Sequence, residues 1–275
     1  MTAATDSLAT GSLASQSLAL LERLTGGPAP RLLPGHVWLA GAGPGHPGQL
    51  TLDALAALAQ ADAVVHDDLV DARILAAAPA GAERLFAGKR GGRPSSAQAD
   101  ITALLIALAR QGRRVVRLKG GDPYVFGRGG EEALALAEAG IPFRVISGVT
   151  AGLAGLAAAG IPATMRGINH AVVLATGHAA SDEGGLDWAA LARLGQPIVL
   201  YMALRRLGPI VAALLAAGMD PATPAATVES GTLPGQRVVE ASLATLESRA
   251  RAEGVCSPAI VVIGQVVALR EMLAP

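Results

Sequence analysis

The chain has 275 residues, of which 51% are hydrophobic, and its 22 basic residues are balanced by 22 acidic ones. That length allows one large α/β domain or two smaller ones with a sizeable core, and the even charge gives no support to a nucleic-acid-binding surface or a polybasic membrane patch, so any anionic partner must be met locally. The lone cysteine, Cys256, excludes an internal disulfide and a cysteine-rich metal site, and fits a reducing cytoplasm.

Residues 1–35 are rich in Ser, Ala, Thr, Gly and Pro and read as an N-terminal tail with one amphipathic stretch, 13–24. The first twenty residues lack Lys and Arg, so no secretory signal is expected. A strand over 37–40 runs into the turn Gly41-Ala42-Gly43-Pro44-Gly45, followed by a helix over 48–60, the opening of a βαβ unit. Strands over 63–66 and 84–87 end at Asp67-Asp68 and at Gly88-Lys89-Arg90. Ser95 is expected to cap a long helix reaching Arg110.

The richest stretch comes next. Val115, Val116 and Leu118 suit a short buried strand that ends at Lys119. Gly120 and Gly121 permit close backbone approach, Asp122 suits an Asx turn, and Pro123 forbids continuation of a ladder. Arg128 stands among Gly127, Gly129 and Gly130, before a helix over 130–139 whose first turn holds Glu131 and Glu132. Carboxylates suit a helix N-terminus and an arginine does not, so its charge implies another partner. A fifth strand follows at 143–146. Alternating strands and helices predict a largely parallel sheet, with binding loops at the carboxyl ends of its strands.

The uncharged window 148–165 is broken by Gly, Thr and Pro and predicts a helix and turn rather than a membrane segment. A pause near Gly160-Ile161-Pro162 marks an expected boundary between an N-terminal α/β domain, 36–160, and a C-terminal one, 161–275. The second set comprises strands at 171–176, 198–202, 225–229, 237–240 and 260–263, with helices near Trp188, over 205–217, and ending at Arg251. The turn Leu233-Pro234-Gly235-Gln236 between two strands predicts an antiparallel pair and so a mixed sheet.

Familiar chemistries fit poorly. A dinucleotide fingerprint would need its third glycine at His46, and Pro44 and Pro47 remove backbone donors; a phosphate loop would need lysine where Gln49 stands. No HExxH or paired-Cys spacing predicts a metal, and no GxSxG predicts acyl transfer. Glycine-rich backbone, a few carboxylates and isolated basic residues suit an uncharged or cationic cofactor beside a polyanionic substrate.

Several stretches together carry a resemblance: VWLAGAGPG (37–45), VVHDDLV (64–70), FAGKRGG (86–92), RLKGGDPYVFGRGGEE (117–132), SGVTAG (147–152), AGIPATMRG (159–167), VLYMA (199–203), GTLPGQ (231–236) and PAIVVIG (258–264). In these motifs the chain resembles the tetrapyrrole methylase family. The resemblance implies a two-domain α/β fold, with S-adenosylmethionine bound in the cleft between the domains, usually in a homodimer. It implies methylation of uroporphyrinogen III at C2 and C7, with S-adenosylhomocysteine as the second product and no metal. Carried over by position, the cofactor would meet Pro44, Gly120, Gly121, Asp122, Val125, Phe126, Thr150, Ala151, Met202, Ala226 and Ala259. Lys89, Arg128, Arg166 and Met202 would hold the substrate, and Asp67, Arg128 and Glu131 would stand near the chemistry.

Plainer roles stay open. Asp67 could cap a turn, Glu131 and Glu132 could stabilise a helix start, Met202 could be core packing, Lys89 could be solvated, and Arg166 could serve a structural salt bridge. His46, Asp68, Tyr124, Ser147 and Met165 depart from the family pattern. A methylase of a later precorrin is the nearest alternative, and a dinucleotide-dependent oxidoreductase the rival from another class.

Overall fold

The computed structural model describes residues 13–88, 98–177 and 185–274, so Lys89 and the expected cap Ser95 lie outside the described residues. The described residues form two compact units, one reaching Gly43 and resuming over Pro47–Gly148, the other comprising Pro44–His46 and the chain from Val149.

The first unit contains, in order, α1 (Leu13–Thr25), β1 (Val37–Gly41), α2 (Leu52–Ala59), β2 (Ala63–His66), α3 (Ala72–Leu75), β3 (Glu83–Phe86), α4 (Gln98–Arg110), β4 (Val115–Lys119), α5 (Gly129–Glu138) and β5 (Phe143–Ile146). Its sheet is wholly parallel, in the order β3-β2-β4-β1-β5. Alternate strand residues serve opposite faces. Trp38, Ala40, Val64, Val116 and Leu118 pack with Leu58 of α2 and Ile74 of α3. Val37, Leu39, Ala63, Val65 and Val115 pack with Leu105 of α4 and Leu136 of α5. Both faces are covered, which is why β1 and most of β2 read as apolar runs.

The neighbours β1 and β4 send their chains to helices on opposite faces. Their carboxyl ends therefore form a switch point, where a parallel sheet opens a crevice. By the same alternation Arg117 and Lys119 lie on the α4–α5 face with Val115.

Two local features of this unit depart from the expected elements. The helix expected over 48–60 is a 3-10 turn, Pro47–Gln49, followed by α2. Thr51 sets that start, its hydroxyl accepting the Ala54 amide at 3.2 Å. The single-turn α3 was not expected, because four residues are too few to show a helical period. In the tail, α1 docks on α2, with Leu21 and Ala29 buried against Ala56.

The second unit contains α6 (Ala151–Ala158), β6 (Val173–Thr176), α7 (Trp188–Leu194), β7 (Ile198–Tyr201), α8 (Leu207–Ala216), β8 (Pro224–Glu229), β9 (Arg237–Ser242), α9 (Leu246–Ala252), β10 (Ala259–Ile263) and α10 (Arg270–Leu273). Its sheet is mixed, ordered β6-β7-β10-β8-β9, with β6 parallel to β7 and the other pairs antiparallel, the expected hairpin included. Ile198, Leu200, Ala225, Val261 and Ile263 face α8 and α9. The opposite face receives α6, whose Gly155 comes so near that an added Cβ would lie 3.8 Å from Val228.

Thr227 of β8 is fully buried and its hydroxyl has no hydrogen-bond partner among the described residues. A buried hydroxyl left unpaired costs about 1–3 kcal/mol. Thr227→Val is expected to raise stability by about 1 kcal/mol, read as a higher urea midpoint at unchanged slope; a lower midpoint would show that the hydroxyl has a partner.

Candidate active site

At the carboxyl ends of β4, β1 and β5 three glycines meet backbone to backbone. An added Cβ on Gly148 would lie 2.2 Å from the Gly121 carbonyl oxygen and 2.8 Å from the Gly41 Cα. Gly43 and Gly121 form a two-bond bridge, their amides donating to each other's carbonyls at 3.1 and 2.7 Å. The result is a floor of main chain with no side chain between the three strand ends.

Asp122, the next residue, is buried and spends both carboxylate oxygens on backbone amides. Oδ1 accepts from Tyr124 at 2.7 Å, the expected Asx turn, and Oδ2 accepts from Gly148 at 2.9 Å. It therefore ties the loop after β4 to the loop after β5. Further along, Phe126 and Arg128 take left-handed backbone, with φ 54° and 58°. Non-glycine residues held there cost of order 1 kcal/mol or more each, and such strain clusters at functional sites.

Arg128 is the N-cap of α5 but makes no side-chain cap bond. Its guanidinium instead forms a fork with Glu131, donating at 2.8 and 2.6 Å, and both side chains are more than half exposed. This pairing holds the Glu131 carboxyl below the ordinary carboxylate range and raises the arginine. A hollow of about 500 Å³ lies over Pro123, Tyr124 and the Arg128–Glu131 turn.

The adjacent Glu132 behaves in the opposite way. It has no exposed surface, and its Oε1 accepts from Arg117 Nε at 3.2 Å, Lys119 Nζ at 3.0 Å and Gln98 Nε2 at 3.0 Å. Its Oε2 has no hydrogen-bond partner among the described residues. Arg117, only 2% exposed, continues the chain of charges, donating through Nη1 to the Val65 and Leu118 carbonyls and through Nη2 to Asp67 Oδ1 at 2.5 Å. Asp67 stands just beyond β2, partly exposed, and its Oδ2 makes no hydrogen bond among the described residues. Burial, with the neighbouring Arg117 second, pushes Lys119 below the ordinary lysine value.

Sequence reasoning missed Arg117 and the burial of Glu132. Both carried a signal. Arg117 and Lys119 alternate within an apolar strand, and Glu132 falls in the spacing 129, 132, 133, 136 that marks the buried stripe of α5. A charge on a core face needs a partner there.

In the second unit, Thr150 is the N-cap of α6 by backbone geometry. The Tyr201 hydroxyl bonds the Thr150 hydroxyl at 2.8 Å and accepts the Gly152 amide at 3.0 Å, joining the end of β7 to the start of α6. Ala151 is half-buried beside them, and Met202, next to Tyr201, is exposed with φ 54°. Ala226 has no exposed surface and Ala259 is half-buried in the neighbouring strand. Arg166 is exposed in a turn organised by buried Asn169, whose side chain accepts the Met165 amide and donates to the Ala163 and Ala171 carbonyls. No ion pair engages Arg166 among the described residues.

The structure therefore gathers Asp67, Gly120, Gly121, Asp122, Val125, Phe126, Arg128 and Glu131 on one edge of the first unit. In the second unit, Thr150 and Ala151 begin the helix that Tyr201, the neighbour of Met202, bonds. The glycine turn of β1 does not open a helix, since α2 begins only at Leu52 behind its own cap. Its Gly43 amide is already spent on Gly121, so the turn offers pyrophosphate no helix N-terminus. Among the described residues no helix is long and apolar enough to cross a membrane, and no group of three His, Cys, Asp or Glu could hold a metal.

Residues 36–247 match the family described as Tetrapyrrole (Corrin/Porphyrin) Methylases. The chain is 53% identical over 249 residues to a uroporphyrinogen-III C-methyltransferase of Sinorhizobium sp, covering 89% of this chain and 88% of that protein. It is 49% identical to the siroheme synthase of Gluconacetobacter diazotrophicus over 88% of its own length, and spans 52% of that longer protein. The crystal structure of uroporphyrin-III C-methyl transferase from Thermus thermophilus, complexed with S-adenyl homocysteine, is similar at a TM-score of 0.71 and 42% identity, covering 85% of this chain and 99% of that one.

Proposed function

The chain belongs to the tetrapyrrole (corrin/porphyrin) methylases, and from that premise we propose that it methylates uroporphyrinogen III at C2 and C7, using S-adenosylmethionine, to give precorrin-2 by way of precorrin-1. The observation that carries this reading is the edge formed by residues 120–132 with Asp67. There a side-chain-free stretch of backbone stands beside the partly exposed carboxylate of Asp67 and an exposed, strained arginine.

The residues present fit the cofactor. The glycine contact lets the ends of β4, β1 and β5 close on one another and so brings the loops after them together, and Asp122 shapes the loop while its own oxygens stay occupied. Pro44, Gly120, Gly121, Val125 and Phe126, with Thr150, Ala151, Met202, Ala226 and Ala259, are its expected contacts. When bound, S-adenosylmethionine supplies an electrophilic methyl group on a sulfonium.

The chain's own residues do the rest. Arg128 and Arg166 offer bidentate contacts to substrate carboxylates, with Lys89 as a third cation outside the described residues. A carboxylate arriving at Arg128 competes with Glu131, and the displaced Glu131 becomes free to accept a hydrogen bond. The free Oδ2 of Asp67 suits a pyrrole N–H or the proton that the macrocycle loses as its new carbon–carbon bond forms. The same reading has the protein work as a homodimer in the cytoplasm, supported by the family resemblance and by the single cysteine, which is free.

The test is anaerobic incubation of the purified protein with both substrates, followed by mass spectrometry. A gain of two methyl groups is expected. Intact uroporphyrinogen III with no gain would refute the proposal; methylation of precorrin-2 alone would point to a later step, and reduction of a nicotinamide cofactor to an oxidoreductase.

A further inference from the structure

The buried charges beneath the proposed site are arranged as a brace. Arg117 projects from the middle of the sheet and reaches two carboxylates that belong to different loops: Asp67, after β2, and Glu132, in the first turn of α5. Both donors of Nη1 go to main-chain carbonyls, of Val65 and Leu118, so the guanidinium has little room to reorient. Only one of the two carboxylates is buried. Glu132 has no exposed surface, whereas the Asp67 side chain is 27% exposed with an unpaired Oδ2. Glu132 also adjoins Glu131, which pairs with Arg128, so one rigid guanidinium links the free carboxylate of Asp67 to the turn that carries the exposed ion pair.

We infer that Arg117 is a positioning residue for methyl transfer: it holds Asp67 Oδ1 so that Oδ2 presents to the macrocycle at a set distance from the Arg128–Glu131 turn. The inference rests on the reading of Asp67 as a group that meets the substrate. Charge alone does not account for the arrangement, because Lys119 already neutralises Glu132 from the same face at 3.0 Å. What arginine adds is a planar fork able to bond Asp67 and Glu132 together, which a lysine cannot do. A purely structural ion pair would also be expected to close on itself, whereas this one ends on a partly exposed side chain with one oxygen unpaired among the described residues.

The test is a double-mutant cycle between Arg117→Met and Asp67→Asn. Arg117→Met leaves Glu132 paired with Lys119, so folding should survive; if that variant fails to fold, Arg117→Lys, which keeps the charge but cannot span both carboxylates, takes its place. Arg117→Met is expected to lower kcat by about 100-fold, the scale of a small misplacement of a reacting group. The affinity for S-adenosylhomocysteine, by calorimetry, should stay within about twofold. In the Asp67→Asn background the same change should cost less than about twofold more, because Arg117 acts through Asp67. Full kcat in the Arg117 variant, or losses that multiply independently, would overturn the inference.

A second measurement separates this from failure of the proposed function. In protein labelled with 13C at aspartate carboxyls, the Asp67 signal is identified by its absence from Asp67→Asn. It should move in the Arg117 variant, whatever the reaction catalysed. An unmoved signal would refute the brace even in an inactive protein, and a wild-type protein that makes no methylated product would refute the function while leaving the brace to this measurement.

Discussion

Glu132→Ala is expected to lower folding stability by about 3–5 kcal/mol, the cost of leaving buried charge without its counter-ion. The carboxylate it removes has no exposed surface and accepts hydrogen bonds from Arg117, Lys119 and Gln98. The loss should depend on pH. Burial, and then the Arg117 charge, depress Lys119 below the ordinary value of 10.5, while Glu132 and Asp67 oppose the shift. Between the depressed value in the folded protein and 10.5 in the unfolded chain, the unfolded chain binds more protons, so stability rises with pH across that window. Without Glu132 the folded value falls further and the window widens downward. The deficit of the variant should therefore be largest below its own folded Lys119 value and shrink until the parental folded value is reached, above which both proteins gain alike up to 10.5. Urea unfolding followed by circular dichroism at several pH values reads this directly; a deficit below about 1 kcal/mol at neutral pH, or one independent of pH, would contradict the buried-charge account.

Gly148→Ala is expected to cost about 3 kcal/mol or more, at the upper end for overpacking. Its added carbon would meet the Gly121 carbonyl oxygen at 2.2 Å and Gly41 backbone at 2.8 Å, and none of these atoms ends a side chain that could swing away. Relief must come from separating the ends of β4, β1 and β5, which strains the Gly43–Gly121 bridge and the Asp122 bond to the Gly148 amide. Binding of S-adenosylhomocysteine should fall with it, since the loops that meet here are the ones proposed to hold the cofactor. Calorimetry together with urea unfolding checks both parts. A variant of parental stability and affinity would show that the three glycines are not in contact. Alanine at Gly140, where an added Cβ meets nothing within 4 Å, is the matched control for a glycine replacement whose cost is confined to its left-handed backbone, φ 69°.

Much of the molecule could be read before folding was considered. Strand positions followed from short apolar runs, and the parallel sheet from their alternation with helices. The mixed second sheet followed from the turn at 233–236, because these are local signals that each segment carries within itself. The loop 120–132 was legible as a binding element for the same reason, its glycines, Asp122 and Pro123 specifying a turn whatever surrounds it.

Neighbouring residues on different faces were harder to sort. Glu131 and Glu132 are chemically alike and adjacent, yet a helix turns each residue about 100° from the last, so one meets solvent and Arg128 while the other enters the core. Arg117 looked like an interruption in a strand until β2 and α5 brought Asp67 and Glu132 to its two ends. The contact of Gly41, Gly121 and Gly148 joins residues up to 107 positions apart, which no local pattern encodes. Local residue patterns were enough for most of the elements, their order and the family, with the single-turn α3 an exception. The tertiary structure alone decided which charges are buried and which backbones touch, because those depend on how distant segments pack rather than on what each segment prefers.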